Sequence, residues 1–164
     1  MYELNSETTK EFTKGLKYEL MFRKLSRQVF EELEENPAGG MKSKSIALLN
    51  RIEAHNTVVM EPVRRDFGVS THISCTDKLF ANTVTVSLKV MPSIGFRYLE
   101  GSASRFVDQL EDIASLSPAK YEEEMRFMVE HERALHGYLV HFNQGRYIAA
   151  DSIFEEFIER HQIN

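Results

Sequence analysis

The sequence predicts an all-α fold: an antiparallel four-helix bundle with a kinked or broken third helix and a short C-terminal helix, formed as one domain over residues 1–164. Three observations carry this expectation. Apolar residues recur at steps of three and four through long segments, the period of a helix with one buried face. Proline and glycine fall mostly between those segments. The one stretch with a strand-like pattern has no obvious pairing partner elsewhere in the chain.

Tyr18, Phe22, Leu25, Val29 and Leu33 mark the first helix, from about Thr8 to Glu35, and Asn36-Pro37-Ala38-Gly39-Gly40 stops it. A second helix is expected to start at Ser43 or Ser45, either of which can cap it, with Leu49, Ile52, Asn56, Val59 and Val63 on one face and Gly68 at its end. Residues 83–90 read two ways. Val84, Val86, Leu88 and Val90 alternate with polar residues as in a strand, while Phe80, Val84, Leu88 and Met91 form a helical face, and the helix is favoured for want of a partner strand. Pro92 kinks or breaks that helix. Leu99, Ala103, Phe106, Leu110 and Ile113 mark the next segment. Ser117-Pro118 is a helix start, with the helix running to about Asn143, and Asp151 or Ser152 is expected to cap a short terminal helix. Four helices of about six to seven turns joined by short connections can close a shared core.

Composition removes several function classes. Apolar residues at 42% and charged ones at 27% fit a globular domain rather than a disordered chain. A formal charge of -5, with Lys and Arg scattered among acids, opposes nucleic-acid binding. The lone Cys75 can form no internal disulfide, and no stretch reaches the roughly 20 apolar residues of a membrane span, so the expected setting is cytoplasmic, without membrane contact. Cys75 has no adjacent His, no Gly-x-Ser-x-Gly elbow occurs, and Gly39-Gly40 lacks phosphate-loop spacing. Nucleophilic hydrolysis and nucleotide binding are therefore not expected.

The informative positions are ionisable residues inside apolar stripes. On the helix after Pro118, Tyr121, Met128, Leu135, Leu139 and Phe142 build a sector that also contains His131 and Glu132. A buried carboxylate needs a cation, a partner or a metal. Asn56 lies near the centre of the second stripe, with Glu53 one turn back at its edge, and Glu19 lies at the edge of the first, beside Tyr18 and Phe22. A structural role for Glu132, paired with Arg23, Arg97 or a tyrosine hydroxyl, is one outcome. The glutamate runs 31–35 and 122–124 read as solvated faces, and His131, His136 and His141, turned by about 140° at each step, cannot share one ion.

Three helices aiming a carboxylate at one core resemble the ferritin-like superfamily, including rubrerythrin-type proteins, from about Thr8 to Asn143. That resemblance implies iron or manganese held by inward Glu residues and Glu-x-x-His pairs, with oxidative chemistry beside it. It makes Glu19, Glu53, His131, Glu132 and His136 the candidate metal ligands, with Tyr18 or Tyr138 bordering a cavity. The spacing of Glu132 and His136 is also similar to carboxylate-His pairs of haem-oxygenase-like di-iron proteins. Departures from the pattern are Asn56 and Leu135 where Glu-x-x-His would place His, and Ser102 and Ala103 where a third-helix carboxylate would stand. The expected function is a bundle binding a metal centre or a small apolar ligand inside; the alternative is a non-catalytic bundle for self-association, as a homo-oligomer, or for partner docking.

Overall fold

The computed structural model describes residues 6–35, 43–70, 72 and 75–164. These form α1 (Ser6–Glu35), α2 (Ser43–Asp66), α3 (Cys75–Val90), α4 (Pro92–Ser115), a 3-10 turn (Ala119–Tyr121), α5 (Glu122–Asn143) and α6 (Tyr147–Arg160), with no strand among the described residues. The expected break at 36–40 lies outside the described residues.

The apolar spacing explains which faces are buried. Phe12, Leu16, Glu19, Arg23, Phe30 and Leu33 share the inner face of α1, whereas Tyr18, expected in the stripe, is half exposed and Phe22 half buried. Leu49, Asn56, Met60 and Val63 do the same on α2, and Met125, Met128, Leu135, Leu139 and Phe142 on α5, with Tyr121 buried just before it. Steps alternating between three and four keep each set on one side of its helix.

Two helix ends use glycine for the left-handed conformation that other residues resist. Gly68 has φ +60 and Gly145 φ +73. After each glycine the next amide reaches back five residues, from Val69 to Arg64 at 3.0 Å and from Arg146 to His141 at 3.0 Å, so the final carbonyls are satisfied.

Residues 83–90 are helical. Their hydroxyls remove the conflict with helix: Thr83 donates to the Leu79 carbonyl at 2.9 Å, Thr85 to Ala81 at 3.1 Å and Ser87 to Thr83 at 2.8 Å. Ala81, Thr85 and Leu88 face inward, while the strand-like Val86 and Val90 are exposed. At Met91 the chain breaks rather than kinks, because Pro92 starts α4 as its first residue. A Cβ at Gly95 would lie 3.3 Å from the Leu88 Cα, whereas seven residues of continuous helix would separate the two by about 10 Å. The segment expected as one interrupted helix is therefore two helices folded against each other.

Two smaller expectations are also corrected. Pro118 precedes the 3-10 turn, so α5 begins only at Glu122. α6 begins at Tyr147, leaving Asp151 inside the helix, where its carboxylate accepts from the buried Ser45 hydroxyl instead of capping.

α1 packs on α2, α3 and α4; α5 packs on α2, α4 and α6; and α6 returns to α2. Residue pairs give the directions. Asn50 meets Glu34 while Arg23 meets Glu53, so α1 and α2 run opposite ways. Arg133 meets Glu111 and Asn143 meets Glu100, so α4 and α5 do too. Gly15 against Ile113, with Phe22 against Phe106, sets α1 opposite α4.

These contacts lead to a contrast between two helical glycines. Gly95→Ala is expected to lower stability by about 1–2 kcal/mol, since its Cβ would stand 2.9 Å from Leu88 Cδ2 with the Leu88 backbone directly behind. Gly101→Ala, which meets nothing within 4 Å, is expected to raise stability by about 0.5–1 kcal/mol. Urea denaturation of both variants checks the pair.

Candidate functional site

At one level of the core, three apolar stripes are each interrupted by a carboxylate. α1 supplies Glu19 and, one turn on, Arg23; α2 supplies Glu53; α5 supplies Glu132 and the adjacent His131. All five are buried, Glu132 to 3% exposure and His131 to 0%. The Arg23 guanidinium occupies the space between the acids: Nε donates to Glu19 Oε1 at 2.9 Å, Nη1 to Glu53 Oε1 at 3.4 Å and Nη2 to Glu132 Oε2. Its planar fork can serve several carboxylates at once, which an ammonium cannot do as well.

The charges do not balance, because three carboxylates face one guanidinium. Burial pushes the Glu19 and Glu53 carboxyls up to about 7, opposed by Arg23 and reinforced by the charge of Glu132. The acids in turn hold the Arg23 pKa above its ordinary value in spite of burial. His131 stays neutral: burial, then Arg23, then His161 lower its pKa well below the usual imidazole value. Its Nε2 lies 3.5 Å from Glu53 Oε1 without forming a hydrogen bond, and its ring packs beside the contacting pair Phe127 and Phe157. Among the described residues, Glu19 Oε2 and Asn56 Oδ1 are buried without a hydrogen-bond partner.

Glu132 also lines a cavity of about 270 Å³ bounded mainly by α1, α3, α4 and α5. Its walls are mainly aromatic and aliphatic, including Phe22, Phe106, Leu135 and Leu139, with the phenol of buried Tyr138 deep inside. Exposed Tyr18, Tyr98 and Arg105 mark the outer end. Ser102 and Ala103 line it from α4, so the helix that contributes no carboxylate contributes small side chains instead. On the other side of the charges, Arg23, Glu53 and Asn56 wall a polar cleft between α1 and α2, which Lys24, Arg27, Glu61 and Arg64 also line.

Of the candidate ligands, Glu19, Glu53, His131 and Glu132 come together, while His136 is half buried on α5 outside the cluster. Arg97 is exposed and is not the partner; Arg23 is. Tyr18 and Tyr138 border the cavity from opposite ends. These side chains do not fit an iron or manganese centre as they stand, because each carboxylate is engaged by the guanidinium lying between them. Among the described residues no group of three or more His, Cys, Asp or Glu side chains is placed to hold an ion.

Sequence reasoning missed the buried contact of Ser45 with Asp151, near Tyr138. The signal was present: Ala150, Phe154 and Phe157 place Asp151 on the inner face of α6. It also put Glu19 and Glu53 at stripe edges, where the structure buries both as deeply as their apolar neighbours. Comparison with known protein families, curated proteins and solved structures finds no match to the chain.

The cluster sets a pH dependence. Glu19 and Glu53 hold protons in the folded chain that the unfolded chain releases above about 4.5, so their effect on stability is a loss as pH rises toward about 7. His131 acts the other way: below 6.5 only the unfolded chain binds its proton, so stability rises with pH through that range. Two acids outweigh one imidazole, and above 6.5 the acids act alone. The expected outcome is a fall on the order of 2 kcal/mol between about pH 5.5 and pH 8, which a Glu19→Gln, Glu53→Gln double variant abolishes. Urea titrations across that range check it.

Proposed function

We propose that α1, α2, α4 and α5 form an antiparallel four-helix bundle of ferritin-like architecture that binds a small apolar ligand in its interior. The observation that carries this reading is the cavity that Glu132 lines. Apolar cavities of about 150 Å³ hold one benzene, so about 270 Å³ suits a molecule of roughly two rings. Small-molecule sites in proteins combine an apolar wall with a few polar groups that fix orientation, and here those groups are Ser102 and Glu132.

In a ferritin-like bundle the carboxylate level would carry ions. In this chain the guanidinium stands there, and the free space lies beside the charges, against α4. Binding is therefore assigned to the cavity and not to the centre of the acids.

A second reading, self-association, draws on one different observation. The corner between α3 and α4 exposes Val90 at 70%, Ile94 at 64%, Tyr98 at 56% and Met91 at 52%. Clustered exposed apolar side chains mark contact surfaces more often than isolated ones do.

Ala103 separates the two readings, because it is buried against the cavity and lies outside that corner. N-phenylnaphthylamine is expected to bind the wild-type protein with enhanced fluorescence. Ala103→Phe is expected to weaken that binding by roughly tenfold or more while the melting temperature holds or rises, since the new ring takes up free space. Binding unaffected by Ala103→Phe would place the probe elsewhere and remove the support for an interior site.

A further inference from the structure

We propose that the ligand of this cavity is an amphiphilic amine, an apolar body of about two rings or an equivalent chain bearing a protonated amino group, with the amino group seated against Glu132. This rests on the cavity reading and adds the chemical class of the ligand.

The argument starts from the two oxygens of Glu132. Oε2 accepts from Arg23 Nη2, and Oε1, to which no described residue is found to donate, is not one of the polar atoms sealed in the core. The side chain is 3% exposed and forms part of the cavity wall. A carboxylate oxygen at a cavity wall with spare acceptor capacity accommodates a donor, and a charged donor best of all.

The surroundings give the sign of that donor. The charged groups facing Glu132 are Arg23 and Glu19 from α1 and Glu53 from α2, with neutral His131 beside it on α5. Near pH 7, where Glu19 and Glu53 are only partly ionised, the three acids together still carry more charge than the one guanidinium offsets. From α4 the charged lining is Arg105, exposed at the outer end of the cavity, so no cation other than Arg23 is supplied to the inner end by the described lining residues. An anionic head group would meet Glu132 and repulsion. A neutral apolar ligand would leave Oε1 as it is, whereas an ammonium would complete its coordination and offset the excess charge.

The cavity wall limits the rest of the molecule. Phe22 and Phe106, with ring centroids 4.0 Å apart, flank the passage together with Leu135 and Leu139, and favour an apolar, partly aromatic body. Ser102 can accept or donate one further hydrogen bond along it, whereas the Tyr138 hydroxyl is turned to Ser45 and Asp151.

The test uses three molecules of nearly one shape: naphthylethylamine, naphthylethanol and naphthylacetate, titrated calorimetrically into the full chain at about pH 7 in buffers of different ionisation enthalpy. The amine is expected to bind roughly tenfold or more tightly than the alcohol, and the acid more weakly than either. Amine binding is also expected to release protons, because a new cation favours the ionised forms of Glu19 and Glu53. Glu132→Gln should bring amine and alcohol to within about threefold of each other. Should that variant fail to fold, Glu19→Gln keeps the cavity wall intact, removes one excess charge and is expected to diminish the preference for amine. If alcohol and amine bind alike, or the acid binds best, the amine assignment is overturned while the apolar site stands. If none of the three binds, both readings fail together.

Discussion

Everything at the centre of this fold depends on one guanidinium being in place. Among the described residues Arg23 is the one cation paired with Glu19, Glu53 and Glu132, and it is held by α1, the helix that also packs against α2, α3 and α4. Removing one partner of a buried pair costs about 3–5 kcal/mol, because the remaining charge is left without compensation. The same physics makes a fully apolar replacement of all four nearly neutral or stabilising. The cluster is therefore an expensive way to fill a core, and its presence at the meeting point of three stripes points to a use beyond packing.

Much of the helical plan was legible in the residues, for physical reasons that differ from helix to helix. α5 was plain because Tyr121, Met128, Leu135, Leu139 and Phe142 repeat at one period without a competing pattern. α3 was ambiguous because Val84, Val86, Leu88 and Val90 satisfy a period of two as well as a helical face. The helix is the solution that buries Ala81, Thr85 and Leu88 on one side, and the hydroxyls of Thr83, Thr85 and Ser87 are accommodated by donating to the turn before. The reversal at Met91 was half legible: Pro92 announces a break, but only Gly95 lying on Leu88 distinguishes a fold-back from a kink. The start of α6 was misjudged because Asp151 suits a helix cap in isolation and a buried hydrogen bond to Ser45 in context.

The candidate site was legible in its acids, and its cation only as one of three partners, Arg23, Arg97 or a tyrosine hydroxyl, among which the sequence does not choose. Glu132 stood out because its apolar neighbours on α5 are unmistakable. Arg23 did not, since an arginine one turn after a glutamate is ordinary on a solvated helix face, and only tertiary packing turns that face inward. The cavity could not be read at all. Its existence depends on what is small, Ser102 and Ala103 on α4 and Ala81 on α3, and on how far three helices stand apart around them.

Charge and space are linked by that absence of bulk. Had α4 carried a fourth carboxylate or a large apolar side chain at Ala103, the region beside Glu132 would be filled and the excess acid would face only protein. With small residues there, Glu132 lines apolar free space while its Oε2 is held by Arg23. The guanidinium thus does two things at once: it keeps Glu132 fixed in direction, and it is one cation too few to satisfy the carboxylates around it. A carboxylate that is rigid, buried and incompletely paired on the wall of an apolar passage is a group prepared for a partner that enters from that passage. On the proposed function, the pairing that stabilises the core and the selectivity of the cavity therefore have a common origin in the mismatch of three acids with one arginine.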